Sequence, residues 1–397
     1  MTTDRLNSEN ARERLEAAVA ALRRYPGRYR GRGIVICGGG LKYFPCVWVC
    51  VNMLRRMGCS LPIQNWHLGP REMTEPMRAR LASLGVECVD AYKIRKRHPA
   101  RILNGWEMKP YAILHCPFEE VLLLDADNVA VVNPEFLFET APYREHGAIF
   151  WPDYGRLAAT RSIWELCGVS YRDEPEFESG QTLVNKRRCW KALNLTMWLN
   201  EHSDFFYQHI HGDKETFHMA WRKLDQRYAM PEKGIHPLPM TMCQHDFEGR
   251  RIFQHRNLEK WSVLWEGSSI PGFWFEAECR EYLRDLGDVL RCYTFDSTIQ
   301  PEPVQRLAET LIGKLFLYRR VGHDERKLEF RANGTIGVGS ARYERLWGIV
   351  GVDGEWRLVI ASEKFLTCRL KRDERGIWTG RWMRHEQMPV ELIPCAD

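Results

Sequence analysis

The sequence has no Cys-x-x-Cys pair, no long apolar run and little net charge. Its 13 cysteines, an odd number spread from Cys37 to Cys395, lack the close paired spacing of a disulfide framework or structural zinc site. They read as reduced thiols, several of them core residues, in a cytoplasmic protein. The most apolar stretches, such as 47–54 and 121–124, are too short to cross a bilayer. Residues 1–30 are polar and Arg-rich, without an apolar run of signal-peptide length. Leu15, Val19 and Leu22 recur there at helical spacing, which predicts an amphipathic helix. Peripheral contact with a membrane suits so basic a helix, but packing on the protein's own body suits it better. A formal charge of +5 over 397 residues gives no case for nucleic acid, although scattered Arg and Lys suit a phosphate-bearing ligand. Gly38-Gly39-Gly40 lacks the spacing and acidic partner of a dinucleotide fingerprint. No internal repeat or low-complexity tract is evident.

Hydrophobic residues at 44% and charged residues at 27% are the composition of a soluble globular protein. The length predicts two domains. Strand-like 33–37 leads into the glycines, then helix 46–57, strand 63–68, helix 72–84 and strand 86–90. This alternation argues for an α/β domain with a parallel sheet, whose ligands bind beyond the carboxyl ends of the strands. A helix at 109–115 and a strand at 120–124 follow, the latter running into Asp125-Ala126-Asp127-Asn128. Asn133-Pro134 opens a short helical turn, and helices are expected at 186–199 and 214–222. Asp296, Ser297, Pro301 and Pro303 read as a linker over 294–302. Beyond it, short strand-like runs alternate with turns such as Asn333-Gly334 and Asp353-Gly354. The domains are placed at 1–305 and 313–397, the second a small antiparallel barrel or sandwich. Its Trp347, Trp356, Trp378 and Trp382 are read as core in preference to a sugar-stacking surface.

Asp125 and Asp127 carry the sharpest chemical signal. Residues i and i+2 of an extended segment face the same side, so both carboxylates can meet one cation. Two carboxylates brought together repel unless a cation or proton intervenes. Oxygen ligands favour a hard divalent ion such as Mn2+ or Mg2+, which commonly also holds substrate phosphate. For an arbitrary Asp-x-Asp, one residue capping a turn and the other solvated is the better reading. A strongly apolar strand ending in the pair shifts the balance to a metal. Far downstream, His255 precedes Lys260-Trp261. An imidazole on the metal and a lysine on the neighbouring phosphate would make one diphosphate site.

Asp125-Ala-Asp127 with His255-x4-Lys260-Trp261 resembles the retaining GT-A glycosyltransferases of the glycogenin and galactosyltransferase type. Asn257-Leu258 replaces their glycine region, and no Pro separates Lys260 from Trp261. The closer resemblance is to the fungal-type Golgi α-mannosyltransferases. It rests on 122–128 (LLLDADN) with Asn133-Pro134, 151–154 (WPDY), 178–181 (ESGQ), and 212–217 (GDKETF) followed by Ala220-Trp221. It spans roughly residues 33–261 and leaves out the β domain. The family's Golgi anchor has no counterpart in 1–30, so its location is not carried over.

The resemblance implies a GT-A fold and metal-dependent, retaining transfer of a hexose. Mannose from GDP-mannose is the expected donor group, and a glycan or glycoconjugate hydroxyl the acceptor. It implies metal ligation by Asp125, Asp127 and His255. Asp213, Glu178 and Gln181 are expected near the reacting carbon, and Gly38, Gly39, Lys109, Asp125, Asp153 and Lys260 around the donor. Asp213 reads equally well as a helix N-cap; for Glu178 and Gln181 the 178–181 match favours substrate contact over a loop role, and Lys109 has a solvated helix start as its alternative. Gly38 and Gly39 suit a backbone approach to base or ribose almost as well as a plain turn. The alternatives are a UDP-sugar hexosyltransferase, another metal enzyme such as a nucleotidyltransferase or phosphohydrolase, and a non-catalytic carbohydrate-binding protein.

Overall fold

The structure, a computed structural model, describes residues 6–70, 72–263, 269–288, 290–293, 302–352, 355–362, 366–383 and 388–395. The chain divides into two compact units, Met1–Trp261 with Ser269–Cys279, and Ser262–Ser268 with Arg280–Asp397.

In the first unit, β1 (Arg32–Cys37), β2 (Ile63–His67), β3 (Val86–Asp90) and β4 (Glu120–Asp125) pair in parallel. β1 and β4 are buried along their centres on both faces, which is why they read as unbroken apolar runs. The short β5 (Asn128–Ala130) leaves this sheet, whereas β6 (Ala148–Pro152) and β7 (Phe177–Asn185) complete it in the order β3-β2-β1-β4-β7-β6. The expected parallel sheet is present in β1–β4, and β7 extends it antiparallel to both β4 and β6. Residues 153–176 return the chain from the end of β6 to the same edge, so β7 must run back. A second, antiparallel sheet joins β5 to β8 (His236–Leu238), β9 (Thr241–His245) and β10 (Arg251–His255) in the order β5-β10-β9-β8. Trp151 Nε1 donates to the His245 carbonyl at 2.8 Å and Gln244 Nε2 to that of Pro152 at 3.0 Å, tying the two sheets together.

The helix Gly40–Arg56 starts well before the expected residue 46. Gly40 supplies a φ of +65° at its start, and Pro45 lies inside the helix, where it leaves one intrahelical N–H bond unmade. The N-terminal helix is Ala11–Ala20, with Ala11 and Leu15 buried and Val19 and Leu22 packed on the same core. Packing on the protein's own body is thus its observed use. Among the described residues, no helix is long and apolar enough to cross a membrane.

The second unit is an eight-stranded sheet of β11 (Leu290–Tyr293), β12 (Leu315–Arg320), β13 (Asp324–Glu329), β14 (Leu346–Val352), β15 (Glu355–Ala361), β16 (Leu366–Arg372), β17 (Trp378–Trp382) and β18 (Pro389–Pro394). Every pairing is antiparallel, in the order β11-β14-β15-β16-β17-β18-β12-β13. β11 and the helix Glu302–Glu309, whose Val304 is fully buried, precede residue 313. The expected strand at 335–338 is reduced to single bridges, Phe330–Ile336 and Thr335–Leu346. Trp347, Trp378 and Trp382 are core residues and Trp356 packs at the core's edge. The expected turn at Asp353-Gly354, and the linker apart from Glu302, lie outside the described residues.

Candidate metal and donor site

β4 delivers Asp125 at its carboxyl end, and Ala126-Asp127 then form a turn before β5. That turn, not the side-chain alternation of an extended segment, brings the two carboxylates together, which corrects the geometric expectation. Asn128 stitches the turn to β7, donating from Nδ2 to the Gly180 carbonyl at 3.0 Å and to Gln181 Oε1 at 2.8 Å. β10 pairs with β5 so that His255 stands opposite Asn128. The Arg256 N–H adds a bond to the Asp127 carbonyl at 3.0 Å. Two sequence-distant segments are thereby fixed side by side by backbone pairing.

His255 Nε2 lies 3.2 Å from Asp127 Oδ1 and 3.8 Å from Asp125 Oδ2. One ligand atom from each of the three residues falls within 4.8 Å of the others. Two carboxylates and an imidazole at that spacing fit a divalent cation. Behind the ring, His255 Nδ1 is 3.6 Å from Glu178 Oε1, whose other contact is the Gly180 N–H at 2.7 Å. A carboxylate behind a ligating imidazole orients the ring and raises its basicity.

Two lysines balance the buried acids. Lys260 donates to Asp127 Oδ2 and to the Asn257 carbonyl at 3.0 Å. Its loop is held by Arg256, whose guanidinium lies 4.0 Å from the Trp261 ring centre and donates to the Glu259 carbonyl at 2.7 Å. Lys109 is buried, 2.8 Å from Asp125 Oδ1, 3.3 Å from Asp213 Oδ2 and 3.2 Å from Ser179 Oγ. It is no solvated helix start. Burial opposes the charge of Asp127, yet Lys260 and His255 outweigh it and hold the carboxyl well below its usual range. Burial would likewise lower His255, but Asp127, Glu178 and Asp125 leave it raised. Burial dominates at Glu178 and Asp213 and pushes both carboxyls up.

Asp213 is the first residue of the helix Asp213–Lys223, and Gly212 holds the cap position without a side-chain cap bond. The N-cap reading is therefore replaced by an ion pair to Lys109. Gln181 is fully buried, with Oε1 on Asn128. It holds the turn instead of facing an opening. Asp153 accepts from Lys214, which also bonds Glu176 at 2.8 Å. The glycines after β1 face their own chain. A Cβ on Gly38 would meet Val47 at 2.9 Å and Ala126 at 3.1 Å, and one on Gly39 the Glu72 carbonyl oxygen at 2.6 Å.

Ser179, Gly180, Asn128, Glu176 and Lys214 were not singled out by sequence reasoning. Gly180 had a signal, since it lies inside the 178–181 run, but its reason is steric. A Cβ there would stand 2.5 Å from His255 Nδ1 and 2.8 Å from Glu178 Oε1. Gly180→Ala is therefore expected to displace the imidazole and weaken Mn2+ binding by roughly tenfold or more. The unfolding midpoint should move far less, and isothermal titration with Mn2+ checks it.

In the first turn of the helix Asp213–Lys223, Glu215 is fully buried between Lys214 at 3.9 Å and the His211 N–H at 3.2 Å. Burial pushes its carboxyl up to about 7. A folded-state value above the unfolded 4.5 means stability is fully present below pH 4.5 and lost as pH rises through about 7. Glu215→Gln is accordingly expected to stabilise at pH 8, by up to about 3 kcal/mol, and to change little at pH 4.5. Denaturant unfolding at both pH values reads the difference.

The family model Mannosyl_trans3, described as a mannosyltransferase, matches residues 31–176 and 169–238. The chain is 27% identical over 264 residues to alpha-1,2-mannosyltransferase MNN24 of Candida albicans, covering 55% of this chain and 37% of the relative. It is 25% identical over 287 residues to alpha-1,2-mannosyltransferase MNN2 of Saccharomyces cerevisiae, covering 58% and 48%. The chain thus spans less than half the length of these relatives. Among solved structures, it is similar to the galactosyltransferase LgtC in complex with donor and acceptor sugar analogs (TM-score 0.39, 12% identity, 69% of this chain and 99% of that one). It is also similar to mouse xyloside xylosyltransferase 1 in its apo form (TM-score 0.37, 13% identity, 50% and 84%). With the matched segments covering more than half of its 397 residues, the chain belongs to the Mannosyl_trans3 family of mannosyltransferases.

Proposed function

We propose that the chain is a retaining glycosyltransferase that moves α-mannose from GDP-mannose to a hydroxyl of a glycan or glycoconjugate. The observation that carries this reading is the convergence of Asp125, Asp127 and His255 at the carboxyl edge of the parallel strands, where α/β sheets bind their ligands. Family membership supports the sugar, and the names of the relatives support the α-linkage.

Asp125, Asp127 and His255 would hold the divalent cation. When bound, that ion supplies positive charge to a departing diphosphate. Lys260, on a loop beside Asp127, is placed to turn its ammonium from the carboxylate to a phosphate oxygen. Lys109 bridges Asp125 and Asp213 and holds them oriented side by side. Asp213 and Glu178 offer carboxylate oxygens to sugar hydroxyls, while Gln181 positions the Asn128 turn from behind. Retention then needs no strong protein nucleophile, because the acceptor hydroxyl can approach from the leaving group's own face.

A thermal-shift comparison tests the donor. With Mn2+ present, GDP is expected to raise the unfolding midpoint more than UDP at equal concentration, since ligand binding stabilises by mass action. GDP-mannose should release GDP only with the metal. A larger shift with UDP, together with turnover of a UDP-sugar, would replace mannose by another hexose.

A further inference from the structure

The helix Met108–His115 carries Lys109 into the metal site at one end. Its other end, roughly 10 Å away at 1.5 Å per residue, borders an open cavity of about 820 Å3. The floor is aromatic. His98 and His115 stack with centroids 4.5 Å apart, and Tyr111 lies 4.3 Å from His115. Trp190 and Trp198 form a wall. Burial, helped by His98, Lys186 and Arg28, pushes His115 down to about 3, so the ring is neutral. Its Nδ1 is buried without a hydrogen-bond partner among the described residues.

The rim carries the opposite character. Arg23, Arg24, Arg28 and Arg97 line it, all exposed, and none forms an ion pair among the described residues. Nearby arginines do pair: Arg32 with Glu120, and Arg101 with Asp204. Glu201 is the acidic group in the lining, and it already accepts the Arg101 N–H at 3.1 Å. Beneath the floor, Lys186 is fully buried with its ammonium 3.8 Å from the Tyr29 ring centre, donating to the Cys116 carbonyl at 2.7 Å. Guanidiniums gathered around one mouth repel each other, and an anion would relieve that repulsion while matching their planar forks.

We propose that this cavity is a second ligand site, taking a phosphate-bearing compound whose organic part is flat or apolar. The phosphate sits among the rim arginines, and the organic part lies on the stacked imidazoles between the tryptophans. No residue of this site belongs to the metal cluster, so the inference stands apart from the glycosyl-transfer reading. The same chemistry is offered by a soluble phosphate ester and by an anionic lipid headgroup.

Two probes separate the sources, both with the full chain in EDTA so that divalent metal is absent. 1-Naphthyl phosphate is titrated calorimetrically, and phosphatidylcholine vesicles with and without phosphatidic acid are used in co-sedimentation. The Arg28→Ala/Arg97→Ala double variant, with both changes at exposed positions, serves as the comparison after its unfolding midpoint is shown to match the wild type. Asp127→Asn serves as a control for binding at the metal cluster. Binding of naphthyl phosphate that falls roughly tenfold or more in the double variant, and persists in Asp127→Asn, supports the site with a soluble ligand. Capture by phosphatidic acid vesicles alone, with the same dependence, supports it with a lipid. Binding of neither probe, or binding the double variant retains, overturns it.

Discussion

Asp127→Asn is expected to lower metal-dependent release of nucleoside diphosphate by at least about a hundredfold to a thousandfold while the fold persists. Asp127 is only 3% exposed, and its carboxylate meets both His255 at 3.2 Å and Lys260. The carboxamide keeps the shape and removes the charge, so the divalent cation loses an anionic ligand. The fold survives because the groups left behind can adapt. His255, raised chiefly by Asp127 against the pull of burial, can shed its proton. Lys260 is partly exposed and can turn to water. Circular dichroism unchanged beside abolished turnover is the expected pair of results. A variant that turns over normally and ignores EDTA would remove Asp127 from the site.

Lys109→Met should act differently, striking stability as well as activity. Lys109 is 7% exposed and separates Asp125 from Asp213. Without its ammonium, the buried carboxylate of Asp213 faces the half-buried Asp125 uncompensated. Breaking a buried pair from one side costs roughly 3–5 kcal/mol, read as a fall of about 10 °C in the first unit's unfolding midpoint. The sign with pH follows from Asp213, whose carboxyl burial already pushes up. A raised folded-state value gives stability that is present at low pH and lost as pH rises through it. The penalty of Lys109→Met should therefore grow with pH and shrink in acid. Adding Asp213→Asn should recover part of the lost stability but not the activity. An unchanged midpoint in the single variant would mean that Lys109 does not bridge the two acids.

Much of the first unit was legible from local pattern. The apolar runs of β1 and β4 could only be buried strands, and an acidic pair directly after one of them pointed to a cation. His255 was different, because nothing local distinguishes it from an ordinary histidine. Its place follows from β10 pairing with β5, a long-range register that a resemblance can suggest but periodicity cannot. β7 and its antiparallel direction were not legible, because local alternation does not tell which way the chain re-enters a sheet after a wide return such as 153–176. For Lys109 a donor contact and a solvated helix start both stayed open, because a lysine at a helix start looks the same in sequence whether it faces water or two acids. Gly180 had no legible reason at all, since the crowding of its absent side chain exists only once His255 is in place. In the second unit, the β-hairpin character was plain. Its helix Glu302–Glu309, which begins among the prolines with Pro303 at its second position, was not.

Electron paramagnetic resonance of Mn2+ titrated into the full chain, with and without GDP, tests the account most directly. One bound ion per chain is predicted, with affinity falling by roughly tenfold or more in His255→Ala and in Asp127→Asn. Equal stoichiometry and affinity in wild type and both variants would mean that these side chains do not share a metal, and the assignment of the site would fail.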